Sequence, residues 1–247
     1  MLILTLTGQG RLQAQFTDYG IRGAIGLATI SDDLSTKSPV LAAGLGGYIN
    51  FEFSSSENII SEVFYLQTGL SLNRRGSNYE ITLEKGNSLR IREGYYHSYY
   101  LQLPILAGFQ MELPIRKSGH IMGVFVGPAV NYGLFGWYKD RMVTPGLADA
   151  STNYDSDRDG SDEDKQVFNH LKRFDVSAIF GVNYNYRNWS IALMVDRGFI
   201  TTSTETDVLK QLDQTINGNT DTKTEISNGY NTAWLLSVSY RLGSFGK

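Results

Sequence analysis

Carboxylates at two-residue spacing are the first side chains with a chemistry to offer. The stretch Asp155-Ser-Asp-Arg-Asp-Gly160, continued by Ser161-Asp-Glu-Asp164, matches the first half of a calcium loop. Asp155, Asp157 and Asp159 at positions 1, 3 and 5, with Gly160 at position 6, suit a hard cation wrapped by a tight turn, and Glu163 at position 9 adds an oxygen. Position 12 is Gln166 instead of a bidentate Glu, and no helices flank the stretch. Two readings stand: a Ca2+ site, and a solvated acidic loop that repels its neighbours. Six further charges form a second set, because each sits inside a run of apolar and small residues: Arg22, Glu52, Glu112, Asp175, Asp196 and Arg241.

Histidine offers less. His97, His120 and His170 are the only three, and His170 near Asp175 or His97 near Glu93 would be the acid–base pairs. Nothing in the spacing fixes their geometry, and a plain surface role is the ordinary one. The chain has no Cys, which removes disulfides, thiolate metal sites and a Cys nucleophile. Neither a phosphate-cradling Gly loop nor a zinc-ligand spacing occurs. No catalytic residue is assigned, and the chain is read as a non-enzyme.

The elements that position the six charges follow a period of two, which places alternate residues on one face of a strand. Eight segments show it. In Thr232 to Leu242, Trp234, Leu236, Val238, Tyr240 and Leu242 oppose Ala233, Leu235, Ser237, Ser239 and Arg241. Leu41, Ala43, Leu45, Ile49, Phe51 and Phe53 oppose Gly44, Gly46, Tyr48, Asn50 and Glu52 in the second segment. The others run over Tyr19 to Ile30, Ile60 to Arg74, Tyr99 to Leu113, Ile121 to Tyr138, Phe174 to Tyr186 and Trp189 to Ile200. Ile121 to Tyr138 carries no charge and is long enough for a membrane helix, but Gly127-Pro128 interrupts it and its small and bulky residues alternate. Strand is the better reading.

Connections alternate short and long. Ser54 to Asn58, Pro114 to Gly119 and Arg187-Asn188 are short; Ser31 to Ser38, Gly76 to His97, Lys139 to Leu171 and Thr202 to Asn231 are read as long loops. Long unstructured loops are unusual in compact soluble domains and expected on the outer side of membrane barrels.

Composition agrees. Of 247 residues, 41% are hydrophobic and only 19% charged, against about 25% charged in ordinary soluble domains. A net charge of −3 gives no nucleic-acid footprint. Volume then decides which face points out. Eight strands would bring some forty bulky side chains into a lumen just wide enough for small ones, so the bulky face meets lipid. Trp137, Tyr138, Tyr186, Trp189, Tyr230 and Trp234 lie near strand ends, where interfacial aromatics belong.

Several of these segments together resemble the PorT-type outer-membrane β-barrel family of Bacteroidota. They are Gly20 to Ile30, Tyr100-Leu-Gln-Leu-Pro-Ile-Leu106, Gly127-Pro-Ala-Val-Asn-Tyr132, Phe174 to Gly181 and Leu236-Ser-Val-Ser-Tyr-Arg-Leu242. The resemblance covers nearly everything from Phe16 onward and implies an outer-membrane barrel without catalytic residues. The family usually shows Glu where Gln102 stands, and the chain ends Gly243-Ser-Phe-Gly-Lys247 where the family has a terminal aromatic.

The expectation is therefore an all-β, eight-stranded antiparallel up-and-down transmembrane barrel in a Gram-negative outer membrane. Residues 1–15 form a possible truncated signal segment and 16–247 the barrel. Its partners are the lipid bilayer and, through the long loops, other outer-membrane or secreted proteins, with a part in secretion or uptake; nucleic acid is excluded. The six charges are expected to form a lumen network that plugs the barrel. A narrow porin and an outer-leaflet lipid-modifying enzyme are the alternatives.

Overall fold

Period-two patterning becomes strand throughout. The computed structural model describes residues 13–31, 36–54, 64–85, 88–114, 119–143, 154–155, 172–200 and 230–245. Every regular element among them is a strand: β1 (Gln13–Ser31), β2 (Thr36–Ser38), β3 (Val40–Ser54), β4 (Phe64–Lys85), β5 (Ser88–Glu112), β6 (His120–Val143), β7 (Tyr154–Asp155), β8 (Phe174–Tyr186), β9 (Trp189–Gly198) and β10 (Tyr230–Gly243).

Eight of them close a ring in the order β1, β3, β4, β5, β6, β8, β9, β10, each antiparallel to the next. β10 returns to β1, with pairs from Ile21↔Tyr240 to Thr29↔Thr232. Closure satisfies the backbone groups that an open edge would leave bare, which a bilayer requires of any sheet that spans it. The short β2 and β7 add to β4 and β6 beside this ring.

The expected faces are observed. Leu45 is 70% exposed and Trp234 62%, and Ile25, Leu70, Ile105, Val126, Phe180, Leu193 and Leu242 stand on the same outer surface. A water-soluble barrel of this size would bury such residues. Aromatic rings collect at both margins of the apolar band. At the short-turn end, Trp189 packs on Tyr240 (4.8 Å between ring centroids) and His120 on Tyr186 (4.6 Å). At the other end Tyr99 stacks on Phe135 (4.7 Å) and leans on Trp137 (5.8 Å).

Three expectations need correction. Residues 76–97 are not a loop: β4 and β5 run on as a hairpin to the pair Lys85↔Ser88. The extension does alternate, Tyr79, Ile81 and Leu83 against Glu80, Thr82 and Glu84, but the pattern is short and interleaved with charge, so the reading of apolar runs passes over it. Likewise β6 continues to Val143, past the expected end at Tyr138. Strict alternation also fails at Leu134. Tyr99 pairs with Phe135 and Tyr100 with Gly133, so Leu134 is an inserted residue, a bulge. Leu134 and Phe135 are both exposed, and the parity of β6 reverses above them.

The third concerns the lumen, which is not lined by small and polar residues alone. Tyr48, Tyr65, Tyr100, Leu106, Phe125 and Ile179 are buried inside it. Glycines on facing strands make their room: a Cβ at Gly108 would lie 2.1 Å from Tyr65 Cζ, and one at Gly181 2.4 Å from Phe125 Cζ. Tight turns finish the short end. Arg187 adopts φ 54° in the two-residue Arg187-Asn188 turn, and Gly119 adopts φ 103° before β6, a conformation that only glycine takes without strain.

Candidate functional site in the barrel lumen

The lumen holds its charges in layers. Nearest the long-loop end, Arg75 on β4 is the hub, and it is 3% exposed. Its Nη2 donates to Asp196 Oδ2 on β9, and to Asn131 Oδ1 on β6 at 3.3 Å. Its Nη1 lies 4.0 Å from Asp175 Oδ2 on β8, and its guanidinium covers the Tyr100 ring at 5.6 Å. Gln102 on β5 ties the group together: Nε2 donates to Asp196 Oδ2 at 2.7 Å and to Asn131 Oδ1 at 2.8 Å, while Oε1 accepts from Asn73 Nδ2 at 2.8 Å. Asn131 Nδ2 then donates to Ser177 Oγ at 2.9 Å. Five strands thus meet across one cross-section. Asp175 and Asp196, at 1% and 2% exposure, are taken out of water almost completely. One guanidinium faces both carboxylates, which carry the large desolvation cost of buried charge unless paired.

Next along the lumen comes apolar bulk, the cluster of Tyr65, Leu106, Phe125, Ala129, Ile179 and Ala192. A cavity of about 30 Å³ remains between Arg22, Tyr48, Asn73, Gln102, Leu106 and Met194. That is room for a water or two, not a passage. Arg22 forms the second polar layer: Nη2 donates to Gln67 Oε1, Nε to Ser239 Oγ at 3.1 Å, and the guanidinium lies over the Tyr48 ring at 5.4 Å. Gln67 passes the chain on to Asn50 Oδ1 at 2.6 Å. At the short-turn mouth Arg241 pairs with Asp18 at 3.4 Å and donates to the Arg187 carbonyl and to Asn188 Oδ1.

Of the six charges expected in one network, the structure brings Asp175 and Asp196 together through Arg75. Arg22 and Arg241 occupy separate layers. Glu52 is half-buried on the lumen face of β3, hydrogen-bonded to Gln110 toward the short-turn end. Glu112 has the expected parity but stands exposed at the rim, where Oε1 accepts from the Gly119 amide at 3.4 Å. Arg75 was missed because it follows Arg74 at what the apolar pattern marks as a strand end. Its signal was parity alone: it continues the Gln67, Gly69, Ser71, Asn73 series.

Asp155 falls in the short β7 ladder, while Asp157, Asp159, Glu163 and His170 lie outside the described residues. Among the described residues no group of three or more His, Cys, Asp or Glu side chains is placed to hold a metal. His97 and His120 both point outward into the aromatic margins, away from the lumen.

Gln102 stands where the PorT-type resemblance implies a Glu. A carboxylate there would face Asp196 Oδ2 and lose both amide donations. Gln102→Glu is expected to lower the unfolding free energy in vesicles by about 1–3 kcal/mol, the cost of leaving buried acceptors unsatisfied. Adding Asp196→Asn should recover most of it. An unchanged denaturant midpoint would mean that the layer contributes nothing to stability.

The family model described as outer membrane protein beta-barrel domain matches residues 13–203. Compared with curated proteins, the sequence matches none. Among solved structures it is similar to the attachment invasion locus protein Ail of Yersinia pestis in complex with the heparin analogue sucrose octasulfate, at 10% identity and a TM-score of 0.37, over 92% of this chain and 99% of that one. It is also similar to Neisserial surface protein A, at 9% identity and a TM-score of 0.33, over 91% and 97%.

Proposed function

This chain belongs to the outer membrane protein beta-barrel domain family and is an outer-membrane β-barrel protein, and from that premise we propose that it works as a closed, non-enzymatic surface barrel. Its lumen supplies rigidity, and its long-loop end meets other outer-membrane or secreted proteins, in support of secretion or uptake. The observation that carries this reading is the side-chain filling of the lumen: the Arg75 layer and the apolar cluster around Leu106, Phe125 and Ile179 each tie together five of the eight strands inside the ring. A conduit would have to lose both. The finer placement in the PorT-type branch rests on the Tyr100 to Leu106 and Gly127 to Tyr132 strands.

The test is reconstitution in planar bilayers together with liposome swelling by small sugars. Membranes carrying the full chain should show no steady single-channel current and no swelling above empty controls. Stable currents of uniform size would replace this reading with that of a narrow porin.

A further inference from the structure

A cation with ring neighbours and, among the described residues, no carboxylate partner stands on the outer side of the wall. Arg74 has outward parity on β4, with Leu66, Leu70 and Leu72 below it in the apolar band and Tyr99 as its cross-strand partner on β5. Beyond it the outer face turns polar at Asn78. The guanidinium is held in place without being neutralised. Its Nη2 lies 3.3 and 3.4 Å from Nε2 and Nδ1 of His97, its buried Nε has no hydrogen-bond partner, and no carboxylate pairs with it among the described residues. His97 in turn is braced by Tyr95 at 5.3 Å and Trp137 at 6.2 Å.

An arginine on the lipid face costs about 2–4 kcal/mol at mid-bilayer and close to nothing at the interface. The aromatic margin marks Arg74 as interfacial, since Tyr and Trp rings settle at headgroup depth. The long-loop end is the outer one in membrane barrels, so the leaflet concerned is the outer leaflet. A fixed guanidinium with unused donors, at headgroup depth and without a protein counter-ion, is complementary to a phosphate, whose oxygens it can engage in paired, charge-assisted hydrogen bonds. We propose that Arg74, positioned by His97 and flanked by Tyr99 and Trp137, binds the phosphate of an outer-leaflet lipid headgroup.

The full-length barrel, purified in a non-ionic detergent, is offered equal amounts of phosphorylated and dephosphorylated lipid A, and retained lipid is counted by native mass spectrometry. The wild type should retain the phosphorylated form about tenfold over the other, a factor within reach of one charge-assisted hydrogen bond. Arg74→Gln should abolish that preference, and Arg74→Lys should keep part of it. Arg197→Gln, which removes an exposed outward cation on β9, should leave it intact. Folding of each variant is verified by the heat-dependent gel mobility of closed barrels. Inorganic phosphate in millimolar excess should fail to displace the lipid; displacement would assign the site to free phosphate. Equal retention of the two lipid forms by the wild type, or an Arg74→Gln variant that keeps the preference, would overturn the proposal.

Discussion

Arg75→Ala is expected to cost the folded barrel about 3–5 kcal/mol, the range for breaking a buried ion pair by deleting one partner. The reason is what stays behind. Asp175 and Asp196 would remain buried on β8 and β9 with no cation facing them, and Asn131 would lose a donor as well. Denaturant unfolding in vesicles reads the loss through Trp137, Trp189 and Trp234, the only tryptophans, all on the lipid side. Arg75→Ala/Asp196→Asn should regain part of the stability, since one orphaned charge is then gone. Currents in planar bilayers should stay absent in both variants, because the cluster of Leu106, Phe125 and Ile179 still occupies the lumen. A single variant as stable as the wild type would show that water reaches the layer and hydrates its charges.

Leu45→Arg should cost about 2–4 kcal/mol in the same assay, the penalty for a cation at the bilayer midplane. Leu45 lies halfway along the lipid face of β3, between Leu41 and Phe51, and its side chain touches little of the protein. In a water-facing position the same exposure would make the change worth no more than about 0.5 kcal/mol either way. The two environments therefore predict results several-fold apart at one residue. Leu45→Ala provides the baseline for lost side-chain area without charge.

Much of this architecture was legible because a barrel wall writes itself into sequence as parity. Leu41, Leu45 and Ile49 on one side of β3, against Gly44, Gly46 and Tyr48 on the other, need no knowledge of the rest of the chain. What a search for apolar runs passes over is a strand that continues with a short, charge-rich alternation. Residues 76–97 look like a loop because their alternation, Tyr79, Ile81 and Leu83 against Glu80, Thr82 and Glu84, is short and rich in charge, and Arg75, the hub of the lumen, sits just before the misread stretch. Nor can parity foresee Leu134, where an extra residue shifts one strand against its neighbour. The interior posed a different difficulty. Parity puts Tyr65 and Phe125 on the inner face, but how a narrow lumen holds such rings shows only when Gly108 and Gly181 are seen opposite them, and that pairing depends on register between strands. Asp175 and Asp196 could be placed in the lumen from sequence, yet their shared cation comes from a strand more than 90 residues away in the chain.

The seam between β1 and β10 joins the first strand of the ring to the last. Arg22 meets Ser239 across a separation of 217 residues, and Asp18 meets Arg241 across 223. Every other wall joint links strands that follow one another in the chain, and the β8–β9 joint needs only two connecting residues. Local hairpins form in microseconds, whereas distant pairings wait on the entropy of closing a long loop. The seam is therefore the slowest joint to close, and until it does the free margins of β1 and β10 both lack partners. Those margins cannot be exposed to hydrocarbon. Closure of this seam thus sets the timing of membrane entry, and an escort that shields the open wall has two particular edges to cover.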